Sequence, residues 1–290
     1  MSEWTIGVIG GSGIYEIDGL EDPHWIAVET PWGTPSDELL TGTIAGVKFV
    51  FLPRHGRGHR ISPSALNARA NIDALKRAGC TDILSLSAVG SLREHLPPGK
   101  FVIVDQFVDR TFAREKSFFG SGCVAHVSVA HPVCPRLSGL AAAAARAAGA
   151  DVHEGGTQLV MEGPQFSTRA ESLLYRQWGC DVIGMTAMPE AKLCREAELP
   201  YALVGMVTDY DSWREGEAHV EVDAVIAQLL ANGDTAKHLV VELARSLPAR
   251  RTPSPIDTAL DVAIMTAPAK RDPALMAKLD AITARVFAAK

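Results

Sequence analysis

The sequence predicts an α/β fold, a single domain with a mixed, largely parallel central sheet flanked by helices. Three observations carry that expectation. Short β-branched apolar runs alternate with helical patterns through most of the 290 residues. Several of those runs end directly in glycine or small-residue turns. No internal repeat and no strong linker interrupts residues 1–247, although the length alone admits one large domain or two smaller ones.

The first strand is expected over 5–9, and Gly10-Gly11-Ser12-Gly13 follows at once. Strand, glycine turn and helix start is the arrangement in which backbone N–H groups converge on an anion. A dinucleotide fingerprint needs a further glycine where Glu16 stands, and no Gly-Lys-Ser/Thr makes a P-loop. What remains is a small oxyanion cradle with the Ser12 hydroxyl, suited to free phosphate. Further strands are expected over 47–52, 82–87, 101–104, 158–161, 182–185 and 201–207. Helices are expected over 64–78, 135–148, 168–178, 189–198 and 222–247, with Pro189 at a first helical position where its missing N–H costs nothing. A Pro/Arg/Ser-rich break over 248–255 leads to a tail, 256–290, in which 273–289 reads as one amphipathic helix. Leu260, Val262, Ile264, Leu275, Leu279, Ile282 and Val286 are too apolar for a free tail, so it should pack on the same domain or on a neighbouring subunit.

Composition narrows the function classes. Hydrophobic residues at 47% and charged ones at 21% suit a soluble enzyme. A net charge of −6 without a basic block argues against nucleic acid or an acidic membrane as partner. No secretory signal and no bilayer-spanning run is apparent. Five cysteines, an odd number with no C-x-x-C spacing, encode neither a disulfide framework nor a zinc site; reduced thiols in a cytoplasmic protein are expected.

Chemistry gathers at the carboxyl ends of the expected strands, where open α/β sheets bind ligands. Asp209 and Asp211, in Thr208-Asp209-Tyr210-Asp211-Ser212, follow the run over 201–207 and would both reach the crevice there. A carboxyl group accepts hydrogen bonds when ionised and donates one when protonated, which suits an amino-substituted heteroaromatic ring. The loop over 53–60 holds Arg54, His55, Arg57, His59 and Arg60. Its glycines oppose a helix and its arginines repel a cation, so an oxyanion clamp is expected rather than a metal site. Ser87-Ala88-Val89-Gly90 lets backbone approach a ligand closely. Phe166 offers a stacking surface, Met185 an adaptable apolar wall and Thr186 a hydroxyl.

Taken in order, Gly10-Gly11-Ser12-Gly13, Pro53-Arg54-His55-Gly56, Ser87-Ala88-Val89-Gly90-Ser91-Leu92, Glu162-Gly163-Pro164-Gln165-Phe166-Ser167, Gly184-Met185-Thr186 with Pro189-Glu190, and Thr208-Asp209-Tyr210-Asp211 closely resemble the trimeric purine nucleoside phosphorylases. The resemblance runs over residues 5–247, and within the family it is closest to members that act on S-methyl-5′-thioadenosine (MTA). It implies a nucleoside phosphorylase-like fold, a homotrimer, no metal or organic cofactor, and inorganic phosphate as co-substrate. It implies further that Ser12, Arg54, His55, Ser87, Ala88 and Thr186 hold phosphate, Ala88 through its backbone. Met185 would lie beneath the ribose, Phe166 and Ser167 beside the base, and Asp209, Tyr210 and Asp211 would read it. Val222, Val225 and, from a neighbouring subunit, His126 would surround the 5′-methylthio group. The chain departs from the pattern with serines for threonines at Ser12 and Ser87, with Val89 for a cysteine, and with His219 near the 5′ pocket. The implied reaction is phosphorolysis of MTA to adenine and 5-methylthioribose 1-phosphate, with Asp209, its pKa raised in a partly apolar pocket, as general acid toward purine N7. The alternatives are a phosphorylase for adenosine or 6-oxopurine nucleosides, a hydrolytic nucleosidase and a non-catalytic purine-binding protein.

Overall fold

A computed structural model describes residues 3–11, 17–214 and 222–287, the side chains of 222–225 excepted. Its strands are β1 (Thr5–Gly10), β2 (Glu21–Ile26), β3 (Leu39–Ile44), β4 (Val47–Pro53), β5 (Asp82–Ser91), β6 (Lys100–Val104), β7 (Gln106–Asp109), β8 (Asp151–Glu154), β9 (Thr157–Val160), β10 (Val182–Gly184) and β11 (Tyr201–Asp209). Its α-helices are α1 (Ala68–Arg77), α2 (Pro135–Ala147), α3 (Arg169–Gln177), α4 (Ala187–Glu196), α5 (Val222–Ser246), α6 (Pro273–Lys278) and α7 (Ala284–Phe287).

Side chains on a strand alternate between faces, and a strand buried on both faces reads as a continuous apolar run. In β4, Phe49 and Phe51 join one core layer with Ile6 and Val8 of β1, while Val50 and Leu52 join the other with Ile9. Helices α1 and α4 cover the second layer, and α2 and α5 the first. The strands form one mixed sheet with mostly parallel pairings, as expected.

The strand β5 is the pivot. One edge pairs in parallel with β11 from Ile83 to Gly90. The other pairs with β1 as far as Ser85, then with β10 from Gly90 onward. Among the described residues, 86–89 therefore have no partner strand on that edge. The sheet parts there, as α/β sheets do where a ligand enters.

The periodic elements lie where the sequence predicts them, except that the helix expected from residue 64 begins only at Ala68, after a 3-10 turn over Pro63–Ala65 and an extended Leu66. Met188 is extended (φ −114°, ψ 127°), so regular turns of α4 begin at Pro189. Thr168 and Glu171 form a reciprocal cap on α3, and Asn67 accepts from the Ala70 N–H to start α1. Strands β2, β3, β7 and β8 were not legible. β2 is largely exposed, β7 and β8 are four residues each, and β3 carries Gly42, so pairing rather than pattern makes them strands.

The expected single helix over 273–289 is instead two short ones, α6 and α7. Between them Asp280 accepts the Ala281 N–H at 2.7 Å and pairs with Arg77 of α1, which diverts the chain from a continuous helix. The tail packs on its own domain. Leu260, Leu279 and Ile282 are fully buried in the core layer of α1 and α4, with Ile264, Leu275 and Val286 against them, while Val262 is exposed. The break over 248–255 is also tied down, because Arg251 pairs with buried Asp82 at 2.6 Å and with Asp257 at 2.7 Å. Deleting 256–290 should thus destabilise the α/β core itself, since each buried aliphatic side chain contributes about 1.5–3 kcal/mol. Calorimetry on the truncated chain checks this; an unchanged melting temperature would mean the tail is dispensable.

Glu196, at the end of α4, accepts from the Ser117 hydroxyl and the Phe118 N–H, both at 2.7 Å. Burial pushes its carboxyl up to about 7. The folded protein then holds a proton that the unfolded chain has lost, so this group's contribution falls as pH rises from its ordinary value of 4.5 to about 7. Denaturant midpoints should decline less steeply between those pH values in Glu196→Gln than in the parent.

All five cysteines are free and buried, and burial pushes the Cys80 thiol up to about 12, which leaves it inert. Among the described residues no helix is long and apolar enough to cross a membrane.

Candidate active site

A cavity of about 600 Å³ opens at the parting of the sheet, lined by residues 86–90 of β5, by the ends of β1, β10 and β11, and by the loop after β4. Ser87, Ala88 and Thr186 line one part of it, and the Ser87 and Thr186 hydroxyls lie 3.1 Å apart. Two hydroxyls and an unpaired strand edge suit an oxyanion. Gly11 also borders the cavity, while Ser12 lies outside the described residues.

Arg54 and His55 follow β4 and reach the same region. Arg54 is only 2% exposed. Its Nε donates to Glu190 Oε1 at 2.6 Å, its Nη2 to Ser85 Oγ at 2.7 Å and its Nη1 to the Leu86 carbonyl at 3.2 Å. The guanidinium of the expected oxyanion clamp is thus already engaged by a buried carboxylate. His55 Nδ1 lies 2.8 Å from the Ile61 carbonyl, so that nitrogen carries the proton and Nε2 is left as an acceptor in the neutral ring. Burial, then the charge of Arg54, lowers the His55 pKa to about 4. The His59 ring stacks on His55 with centroids 4.2 Å apart, and Arg60 donates to the Ser36 carbonyl at 2.7 Å. Both line the cavity, as the cationic loop suggested.

The two aspartates approach from β11. The register with β5 slips between Val207 and Asp209, so Thr208 is an extra residue that turns Asp209 toward the cavity. Its Oδ1 accepts the Asp211 N–H at 2.7 Å and its Oδ2 accepts the Thr208 hydroxyl at 2.7 Å. That bracing orients the carboxylate and closes the local turn. A Cβ at Gly90 would stand 2.9 Å from Asp209 Oδ1, so only glycine lets the carboxylate sit there. Asp211 also lines the cavity at φ 50°, and burial raises its pKa.

Phe166, 45% exposed, and Met185 complete a rim and wall with Met161, Pro164 and Ile183. A Cβ on Gly163, at φ 73°, would strike Met185 Sδ at 2.6 Å, so this glycine lets the two loops close together. An element missed in the sequence holds those loops. Arg114 donates to the carbonyls of Met188 (2.7 Å) and Glu162 (2.7 Å) and pairs with the Glu162 carboxylate (3.1 Å). Four backbone N–H or side-chain donors, from Ser64, Phe112, Ala113 and Arg114, hold the Glu162 pKa down at about 2 against the effect of burial. Nothing local marks Arg114, because its partners lie at least 47 residues away.

Other expected residues stand elsewhere. Ser167 is buried behind the wall, its hydroxyl 3.7 Å from Met161 Sδ. Tyr210 turns outward, its ring against Trp213 and its hydroxyl 3.5 Å from the Glu94 carbonyl. A residue between two inward-facing aspartates is carried to the opposite side. His126 is exposed beside the tail, its N–H on the Ala263 carbonyl at 2.9 Å, and does not line its own chain's cavity. His219 and the side chains of Val222 and Val225 lie outside the described residues. Further along α5, Leu229 and Gly233 do reach the cavity, beside Met206 of β11. Helical spacing alone could not say which turn of α5 faces inward.

The described residues hold no group of three or more His, Cys, Asp or Glu placed to share a metal ion. The site is an oxyanion region joined to an apolar cleft that ends in two carboxyl groups.

Comparison with known proteins agrees with that reading. The model of the phosphorylase superfamily matches residues 5–245. The S-methyl-5′-thioadenosine phosphorylase of Cereibacter sphaeroides is 67% identical over 284 residues, covering 97% of this chain and 98% of that protein. The protein of the same name from Bradyrhizobium diazoefficiens is 59% identical over 289 residues, covering 99% of each. Among solved structures, a methylthioadenosine phosphorylase from an antarctic soil metagenomic library superposes with a TM-score of 0.92 at 43% identity, over 97% of this chain and 99% of that one. From the parted sheet to the paired aspartates, this chain belongs to the phosphorylase superfamily.

Proposed function

We propose that the protein cleaves S-methyl-5′-thioadenosine by phosphorolysis, releasing adenine and 5-methylthioribose 1-phosphate, and so serves purine and methionine salvage. One observation carries this reading: a single cavity is lined both by Arg54, His55, Ser87 and Thr186 and by the carboxyl groups of Asp209 and Asp211. The curated relatives of the same name at 67% and 59% identity support it.

Phosphate sits with Ser12, Arg54, His55, Ser87, Thr186 and the Ala88 backbone, and neutral His55 accepts a hydrogen bond from a protonated phosphate oxygen. The ribose rests on Met185 and the purine lies along Phe166. A phosphate oxygen bonds to C1′ as the C1′–N9 bond breaks, and its electron pair moves into the purine. Asp209 places a proton on N7, so that adenine leaves neutral, and Asp211 holds the amino edge. Most of the acceleration comes from positioning and from keeping the anion beside the developing oxocarbenium ion. Phosphate is a co-substrate, and neither metal nor organic cofactor takes part.

The enzyme works as a cytoplasmic homotrimer in which His126, Val222 and Val225 surround the 5′-methylthio group, His126 reaching the neighbouring subunit's cavity. What supports the assembly is that His126 is exposed and that Leu174 of α3 and Trp178, the residue that caps it, are 42% and 47% exposed. Light scattering tests it, and a monomer with normal turnover would overturn it.

The deciding assay offers MTA, adenosine, inosine and methylthioinosine with and without saturating phosphate. MTA should be cleaved fastest, only with phosphate, and with adenine and sugar phosphate formed in equal amounts. Free methylthioribose formed without phosphate would mean hydrolysis instead.

A further inference from the structure

Arg54 and Glu190 are both buried, 2% and 4% exposed, and their partners come from distant parts of the chain. A guanidinium has five N–H donors in a fixed plane. The Nε donor goes to Glu190 Oε1 at 2.6 Å. The Nη2 donors go to Ser85 Oγ at 2.7 Å and, more weakly, to the Ile9 carbonyl and Glu190 Oε2, each at 3.4 Å. One Nη1 donor goes to the Leu86 carbonyl at 3.2 Å. A single Nη1 hydrogen is then left for whatever enters the cavity that Arg54 lines.

Glu190 is braced in turn. Its Oε2 accepts from Ser85 Oγ at 3.1 Å and from the Tyr201 hydroxyl at 3.3 Å. Ser85 thereby takes a hydrogen bond from Arg54 and gives one to Glu190, closing a ring of three side chains. Neither Glu190, Ser85 nor Tyr201 lines the cavity.

We propose that Glu190 is a positioning residue for phosphate, setting the Arg54 plane so that one directed N–H, rather than a mobile charge, faces the anion. The proposal rests on the phosphorolytic reading. The carboxylate compensates the guanidinium, so what Arg54 adds at the cavity is geometry more than net charge. This also suits turnover, because an uncompensated buried cation would hold the sugar phosphate product as tightly as the phosphate substrate.

The test is steady-state kinetics on Glu190→Gln, Glu190→Asp and Ser85→Ala, with phosphate varied at saturating MTA and the reverse. Misplacing one charge-assisted hydrogen bond should raise the phosphate KM about tenfold or more in Glu190→Gln. The MTA KM should move less than about threefold, because the purine contacts are untouched. Glu190→Asp, which keeps the charge on a shorter arm, should recover part of the loss. Ser85→Ala should shift the same constant in the same direction, and it decides the matter if Glu190→Gln fails to fold. An unchanged phosphate KM, or equal rises in both KM values, would overturn the proposal. Cleavage by the parent enzyme without phosphate would instead refute the phosphorolytic reading, before any variant is compared.

Discussion

Asp209→Asn should lower kcat/KM for MTA by about 10²–10³-fold, the scale of removing one preorganised group at the reacting end of the substrate. Two effects combine. An amide cannot deliver the proton that lets adenine leave neutral. It also weakens the local bracing, in which Asp209 accepts from the Asp211 N–H on one oxygen and from the Thr208 hydroxyl on the other. Asparagine has one acceptor oxygen, so with that oxygen on the Asp211 N–H its NH₂ faces the Thr208 hydroxyl, which must turn its hydrogen to the Val89 carbonyl 3.3 Å away. The same substitution should raise activity on inosine relative to MTA, because an amide matches a 6-oxo edge. Parallel kinetics on the two nucleosides check both claims, and wild-type MTA kinetics would refute the assignment of Asp209.

Arg54→Ala should have two separable consequences. The phosphate KM should rise far more than that for MTA, as expected for losing a phosphate contact. The fold should also lose about 3–5 kcal/mol, because Glu190 is left buried without its counter-charge. Denaturant unfolding measures the second effect without substrate. If stability holds while phosphate use is lost, Glu190 must have found another partner or a proton. If stability falls and the phosphate KM does not change, Arg54 serves the fold alone. The double variant Arg54→Met with Glu190→Leu should recover stability but not phosphate use, since replacing both partners by apolar groups removes the uncompensated charge.

Much of this site is legible without coordinates because its residues stand at strand ends. An apolar run followed by glycine, serine or aspartate puts small and polar groups at the carboxyl edge of a parallel sheet, and that edge is where such sheets bind. Arg54, His55, Thr186, Met185, Asp209 and Asp211 follow that logic, and they line one cavity together with Ser87, which lies within β5 on its unpaired edge. Tyr210 and Ser167 do not, since the Tyr210 ring packs on Trp213 and the Ser167 hydroxyl, in the loop before α3, sits on Met161 Sδ, contacts that no local pattern announces. The bulge at Thr208 is a matter of how β11 pairs with β5, which no property of Thr208 announces.

What the sequence by itself determined is the class of the fold, the order of its main elements and the chemical kinds of group offered at the site. Those follow from local periodicity, capping and turn chemistry, which act over a few residues. What only the tertiary structure decided is which edges stay open and which charges are already spent. The unpaired stretch of β5 exists because β1 leaves and β10 joins on the same side. Glu190 meets Arg54 across 136 residues, and the tail closes over α1 and α4 rather than reaching outward. Such contacts depend on burial and on competition between distant partners for the same donors, and the free energy of a pair like that is set by its surroundings rather than by its sequence neighbours.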